Sequence, residues 1–210
     1  MARLLYVQAS PRVARSHSMA VADAFVQSYA ETHGEDKVVT RNVFEMPLMP
    51  FDGLAVEAKY RIIHGERPAQ GEKVVWDDVE TLVAEFTAAD KYVFAVPMWN
   101  FGIPYRLKQY FDVIVQPGYT FTVTPDGGYK GLVAGRPAFI AYARGGEYPA
   151  GTAAVAVDHQ TTYMEIILGF MGFTDVRSIV VEPTLMGGPE TAASRRGAAV
   201  RKATEMAKDF

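Results

Sequence analysis

Cysteine is absent from the 210 residues, which excludes disulfides, a thiolate nucleophile and any Cys-ligated metal. The four histidines, His17, His33, His64 and His159, are too scattered for a metal-ligand spacing, so no metal is expected. Excess charge is also missing: 21 basic residues face 24 acidic ones, the net charge is −3, and no basic run occurs. Nucleic-acid binding needs a clustered basic face, so no nucleic-acid partner is expected. Long apolar runs are lacking as well. None approaches the ~20 residues that cross a bilayer, and the run after Met1 stops at Gln8, too short for a signal-peptide core. The expectation is a cytoplasmic chain with no membrane partner. Three nucleotide and hydrolase signatures are missing too. There is no Gly-x-x-x-x-Gly-Lys, no Gly-x-Gly-x-x-Gly and no Gly-x-Ser-x-Gly, which argues against ATP hydrolysis, a tightly held dinucleotide and a serine hydrolase.

What is present is an α/β pattern. Leu4 to Val7, Tyr92 to Val96, Ala138 to Ala143 and Ile179 to Val181 are nearly continuous apolar runs, the mark of strands buried on both faces. Val38 to Val43 alternates and reads as an edge strand. Between them run helical stripes with apolar residues at i, i+3, i+4 and i+7: Val21, Ala24, Phe25 with a lapse at Ser28; Val79, Leu82, Val83, Phe86; Leu107, Tyr110, Phe111, Ile114; and Met164, Ile167, Leu168, Met171. Pro104 marks the start of the third, and a last helix is expected from near Pro189 to Phe210. Parallel neighbours need crossover connections, so this alternation predicts a doubly wound, five-stranded parallel sheet with helices on both faces. At 49% apolar and 21% charged residues, the chain suits one domain over 1–210. Two segments break the rhythm. Met46 to Trp76, with Pro47, Pro50, Gly53, Gly65, Pro68 and Gly71, reads as an overlong connection or lid. Gly118 to Gly131 alternates and then turns at Pro125-Asp126-Gly127-Gly128, which reads as a small hairpin.

In such a sheet, ligands bind beyond the carboxyl ends of the strands, so the loops there carry the chemistry. After the first strand comes Ala9-Ser10-Pro11-Arg12-Val13-Ala14-Arg15-Ser16-His17-Ser18. Three hydroxyls at a helix N-terminus, with Arg12 and Arg15 nearby, suit a phosphate monoester; equally, Ser16 or Ser18 caps the helix and the arginines are solvated. After the third strand comes Pro97-Met98-Trp99-Asn100-Phe101-Gly102-Ile103-Pro104, whose aromatics and Met offer a flat surface for a planar ring or packing beneath the next helix. After the fourth comes Ala143-Arg144-Gly145-Gly146, where paired glycines permit positive φ and close backbone approach, or form a plain turn.

Together these three loops resemble the FMN-dependent NADH azoreductases, relatives of the larger NAD(P)H quinone reductases, over essentially the whole chain. The resemblance implies a flavodoxin-like homodimer with tightly bound FMN near its interface. It assigns Ser10, Ser16, His17 and Ser18 to phosphate and ribityl, Pro97 and Met98 to Phe101 to the flavin, and Ala143, Arg144, Gly145 and Gly146 to its pyrimidine edge. Three positions depart from the family pattern: Trp99 stands where Tyr is frequent, His17 where Gln is frequent, and Ala143 where Ser is frequent, which removes a hydroxyl. The implied chemistry is a two-stroke exchange, in which NADH or NADPH reduces the flavin, leaves, and is replaced by a quinone or aromatic azo compound. No side-chain nucleophile is required, and main-chain amides of Asn100 and Gly145 or Gly146 are the candidate donors to the ring. Tyr119, Phe121, Tyr148 and, from a partner subunit, Phe170 are the acceptor-pocket candidates, with core or interface packing the other reading for Phe170. The rival class is a flavodoxin-type electron carrier, whose strongly acidic docking face this balanced chain lacks. A phosphate-binding regulatory module is the third, without the acidic pair that a phospho-acceptor would need.

Overall fold

A computed structural model describes residues 1–210. Its main sheet is parallel throughout and runs in the order β2-β1-β3-β6-β7, with β1 Arg3–Gln8, β2 Lys37–Asn42, β3 Lys91–Pro97, β6 Ala138–Ala143 and β7 Val176–Val181. A separate two-stranded hairpin, β4 Phe121–Val123 and β5 Tyr129–Gly131, interrupts the winding. Side chains alternate across the sheet, so each strand feeds two cores. Leu5, Val7, Tyr92, Phe94, Ile140 and Tyr142 face one side, where α3 (Gln70–Thr87), α4 (Tyr105–Ile114) and α5 (His159–Met171) cover them. Leu4, Tyr6, Val93, Ala95, Phe139 and Ala141 face the other, beneath α1 (His17–Thr32) and α6 (Gly188–Ala207). The doubly wound architecture read from the sequence is therefore the one observed.

The departures have local causes. Ser28 interrupts the α1 stripe because its hydroxyl donates to the Thr204 carbonyl at 2.8 Å, joining α1 to α6. On α6 the buried residues are Ala192, Ala199, Ala203 and Ala207, whose small side chains let the helix approach closely. Ile179 to Val181 is not buried on both faces: β7 is the second edge strand, with Ile179 and Val181 inward and Val180 exposed. Met46 to Trp76 is not an irregular lid either. It contains α2 (Gly53–Ile63), started by Asp52 accepting from Leu54 and Ala55, and the first turns of α3. Arg61 on α2 pairs with Glu72 on α3 at 3.0 Å, and the same carboxylate accepts from the Ala69 amide at 2.7 Å. The prolines and glycines there punctuate helices instead of breaking them.

One close approach does require glycine. A Cβ on Gly131 would lie 2.2 Å from the Gly172 nitrogen, so only glycine lets the hairpin rest against the end of α5. On the α1 and α6 side, Phe25 stacks on Phe139 at 4.0 Å between centroids and meets Phe210 edge-on at 5.0 Å. Because Phe25 is fully buried, Phe25→Ala is expected to lower the free energy of unfolding by about 3–5 kcal/mol in a urea titration; a loss under about 1 kcal/mol would show that this side of the sheet is not tightly packed.

Candidate functional site

The winding reverses between β1 and β3, which opens a crevice beyond their carboxyl ends. That crevice is lined by Ser10, Arg12, Ser16, His17, Pro97, Met98, Trp99, Ala143, Gly145, Thr184 and Leu185, around a partly open space of about 120 Å³. It continues past His17, Thr184 and Leu185 into a hollow of about 350 Å³ reaching Gly188, Pro189 and Arg196. No carboxylate lines either space.

The first loop is built to receive an anion. Ser16 is the N-cap of α1, its hydroxyl accepting from the Met19 amide at 3.3 Å, so the capping reading is correct for this residue. Ser18 lies fully buried behind it, hydroxyl to hydroxyl at 3.1 Å. The amides of His17 and Ser18, in the opening turn of the helix, have no partner within the chain. They add the positive end of the helix dipole to a space already flanked by Arg12. Val13, a β-branched residue, sits at φ +44° in the loop before the helix, a strained conformation that the surrounding turn enforces. His17 has a buried Nδ1 with no hydrogen-bond partner. Burial first, then the guanidiniums of Arg196 and Arg12, lower its pKa, so the imidazole is neutral at pH 7.

In the second loop Trp99 and Gly102 exchange both backbone hydrogen bonds, at 2.9 and 3.0 Å, around Asn100 and Phe101. Both central residues have positive φ, +47° and +70°, the pattern of a type I′ turn in which glycine would ordinarily be expected at the second position. The turn leaves the Asn100 and Phe101 amides without partners in the chain and sets the Phe101 side chain out in solvent, half exposed. A core role for Phe101 is thereby excluded. Trp99 is backed by Phe44 at 5.6 Å and Tyr105 at 6.3 Å, which form an aromatic wall.

The third loop corrects two expectations. Neither Gly145 nor Gly146 has positive φ; what the first supplies is space, since a Cβ there would come within 2.9 Å of Leu185 Cδ1. Gly146 sits beside Met186 and Tyr148, and both glycine amides are free of internal partners. Arg144 is turned inward: its side chain is 4% exposed and bound to Asp158 and Glu182, and its amide donates to the Val181 carbonyl. It presents nothing to the crevice.

The remaining candidates do not meet the crevice within one chain. Phe170 packs on Phe121 at 4.6 Å and on Tyr129 at 5.4 Å, and Tyr119 donates to Glu80 at 2.6 Å. Tyr148 stands over the Arg144 guanidinium at 5.4 Å. Thr184 and Leu185, absent from the sequence-based candidates, come from the loop after the last strand, which ends at the same carboxyl edge and could have been found by that rule of place; Arg196 comes from α6, where the sequence carries no signal for it.

A parallel doubly wound sheet with an anion cradle and an aromatic shelf at its switch point defines the class, a ligand-binding protein of flavodoxin-like fold. A family model described as flavodoxin-like fold matches residues 2–206. An FMN-dependent NADH:quinone oxidoreductase of Nitratidesulfovibrio vulgaris is 53% identical over 210 residues, covering all of both chains. The structure of an azoreductase from Bacillus anthracis strain Sterne superposes with a TM-score of 0.91 at 28% identity over all of both chains. An FMN-dependent NADH-azoreductase of Bacillus anthracis, solved with FMN, gives 0.87 at 25% identity over 99% of this chain and all of that one. The chain belongs to the flavodoxin-like family of FMN-dependent NADH:quinone oxidoreductases and azoreductases.

The neutral His17 gives a pH test. Between its lowered folded pKa and the ordinary 6.5, the unfolded chain binds a proton that the folded chain refuses, so stability falls as pH drops through that window. A phosphate dianion beside the ring has the opposite effect and raises the pKa. Imidazole NMR titration is expected to place His17 below 6.5 in ligand-free protein and to move it upward with FMN; a free-protein midpoint at or above 6.5 refutes this.

Proposed function

We propose that this chain, as a single domain over residues 1–210, is an FMN-dependent oxidoreductase. In this reading it passes electrons from NADH through FMN to quinones, and to aromatic azo compounds, with donor and acceptor taking turns at one face. The observation that carries the reading is the junction at the β1/β3 switch point of an all-neutral or cationic anion cradle with a strained aromatic turn. Every polar group in the cradle donates or can donate, and none is a carboxylate, as a phosphate dianion requires. Ser10, Ser16, His17 and Ser18 would hold the phosphate and the chain behind it; Pro97, Met98, Trp99, Asn100 and Phe101 would support one side of the ring, and Ala143, Gly145 and Gly146 its edge.

When bound, FMN supplies the two-electron chemistry. The chain supplies the surroundings. The unpaired amides of Asn100, Gly145 and Gly146 are preorganised donors that stabilise negative charge on the ring's polar edge without reorganising. Trp99, braced by Phe44 and Tyr105, excludes water from one side and gives planar substrates a surface to stack on. Ala143 offers no hydroxyl, so main-chain groups carry the recognition there. The choice between NADH and NADPH is assigned to NADH, the donor in the names of the relatives.

We also propose a homodimer. Leu54, Tyr60 and Ile63 on α2 and Val74 on α3 are exposed large apolar residues of the kind that interfaces cover. A second copy would bring the Phe121, Tyr129 and Phe170 cluster and Tyr119 toward the acceptor side of the crevice, which a single chain does not do. Light scattering is expected to give twice the 23.1 kDa chain mass; the monomer mass at micromolar concentration removes the shared-pocket element.

The principal test is an anaerobic absorbance spectrum of the protein reconstituted with FMN. NADH is expected to bleach the flavin band and benzoquinone to restore it, and Gly146→Val, which puts a branched side chain beside the amide pair, is expected to bind FMN at least tenfold more weakly. FMN that binds but never bleaches would favour the electron-carrier reading, and absence of FMN binding would end the proposal.

A further inference from the structure

Beneath the two loops that face the ring lies a group of side chains that the foregoing chemistry leaves unused. Arg144 is the most deeply buried charged residue in the chain. Its guanidinium lies 2.9 Å from Asp158 Oδ2 and 3.4 Å from Glu182 Oε2, and it also donates to the Thr161 hydroxyl. Its Nε donates to Gln160 Oε1 at 2.9 Å, while the rings of Tyr142 and Tyr148 stand 5.7 and 5.4 Å away. Burying a guanidinium is costly unless all its donors are used, and here carboxylates, an amide and a hydroxyl use them.

The partners are what make this more than a satisfied core charge. Gln160 is wholly buried and spends its other end on the Val96 carbonyl at 2.9 Å, one residue before Pro97. Asp158 caps α5 by accepting from the Thr161 amide at 3.0 Å, and Glu182 accepts from the Tyr148 amide at 3.3 Å. The Arg144 carbonyl accepts from both the amide and the hydroxyl of Thr184. One residue thus joins the ends of β3, β6 and β7 to the start of α5. The Met98 amide donates to the Ala143 carbonyl at 2.8 Å, and the route Arg144–Gln160–Val96 adds a second, side-chain link between the Gly145–Gly146 loop and the Met98–Phe101 loop. A buried ion pair is weak evidence for net stability, and an Arg fork fixes angles that a Lys cannot.

We propose that Arg144 is a positioning residue: acting through Gln160, it holds the two ring-facing loops at a fixed separation and so sets the reduction potential of the bound FMN without touching it. The inference rests on the FMN reading. A loop free to drift would carry the Gly145 and Gly146 amides off the ring edge, and they matter most when that edge carries negative charge. Loss of the bridge therefore weakens the hold on reduced FMN more than on oxidised FMN and drives the potential negative.

The test uses full-length protein reconstituted with FMN, with Gln160→Met, which leaves every charge paired, and Arg144→Lys, which keeps the charge and loses the fork. Folding is read by circular dichroism, FMN affinity by fluorescence titration, and the two-electron midpoint potential by equilibration with a reference dye. Both variants are expected to fold, to bind FMN at least tenfold more weakly, and to shift the potential by about −30 mV, the equivalent of a tenfold change in the ratio of reduced to oxidised affinity. If one variant unfolds, the other decides; unfolding of both assigns the network to stability alone and overturns the inference. A wild-type potential in folded, FMN-loaded variants also overturns it. Wild-type protein that takes up no FMN refutes the functional reading and this inference with it, whereas FMN-loaded wild type beside unchanged variants refutes this inference only.

Discussion

A parallel sheet buried on both faces has nowhere to place polar chemistry except beyond its strand ends, and this constraint organises the whole chain. β1, β3 and β6 carry apolar side chains to both cores with almost no interruption. The ladder bonds of β1, β3 and β6 are made to neighbours on both sides, and several amides in the loops beyond their carboxyl ends are left without a partner. Those of His17, Ser18, Asn100, Phe101, Gly145 and Gly146 lie there, free of partners in the chain. The same reversal of winding that makes the sheet doubly wound separates the β1 and β3 loops enough to admit a ligand.

The edge holds strain and positive potential together. Three non-glycine residues have positive φ, and all three, Val13, Asn100 and Phe101, lie in the loops that bound the crevice. Such conformations persist only where the surroundings enforce them, and here each fixes amides or an aromatic surface outward. Arg12 and Arg196 face the crevice while the acidic partners of the deeper arginine stay beneath the floor, so an anion meets donors first. The neutral state of His17 follows first from its burial and then from that same field: adding another cation beside Arg196 and Arg12 is unfavourable until a negative ligand arrives.

The buried ion network lies under the third loop of the crevice. Loops are ordinarily the mobile part of a fold. Here the Arg144 guanidinium, Gln160 and the carboxylates of Asp158 and Glu182 tie three strand ends and a helix start into one body, and the Trp99–Gly102 turn closes on itself.

How much of this was legible differs by scale. Period-two and period-3.6 patterns are local consequences of backbone geometry, so the five strands, the major helices, the hairpin and the crossover topology could be read from residues 3–210 alone. So could the three loops that line the crevice, because they follow the carboxyl ends of the strands. Edge status could not be read for β7, since Ile179 to Val181 is apolar whether or not another strand lies beside it. The helix within Met46 to Trp76 was hidden by prolines and glycines that stand at its boundaries. The direction of each side chain at the site was a tertiary matter. Arg144 sits in a loop expected to meet a ligand yet points inward, because Asp158, Gln160 and Glu182, distant in sequence, converge on it. Phe101 looks like core yet stands in solvent because its backbone is left-handed. Sequence alone determined which chain segments reach the carboxyl edge, a local property of periodicity; only the tertiary structure decided which groups face the crevice, because that depends on partners brought together across the sheet.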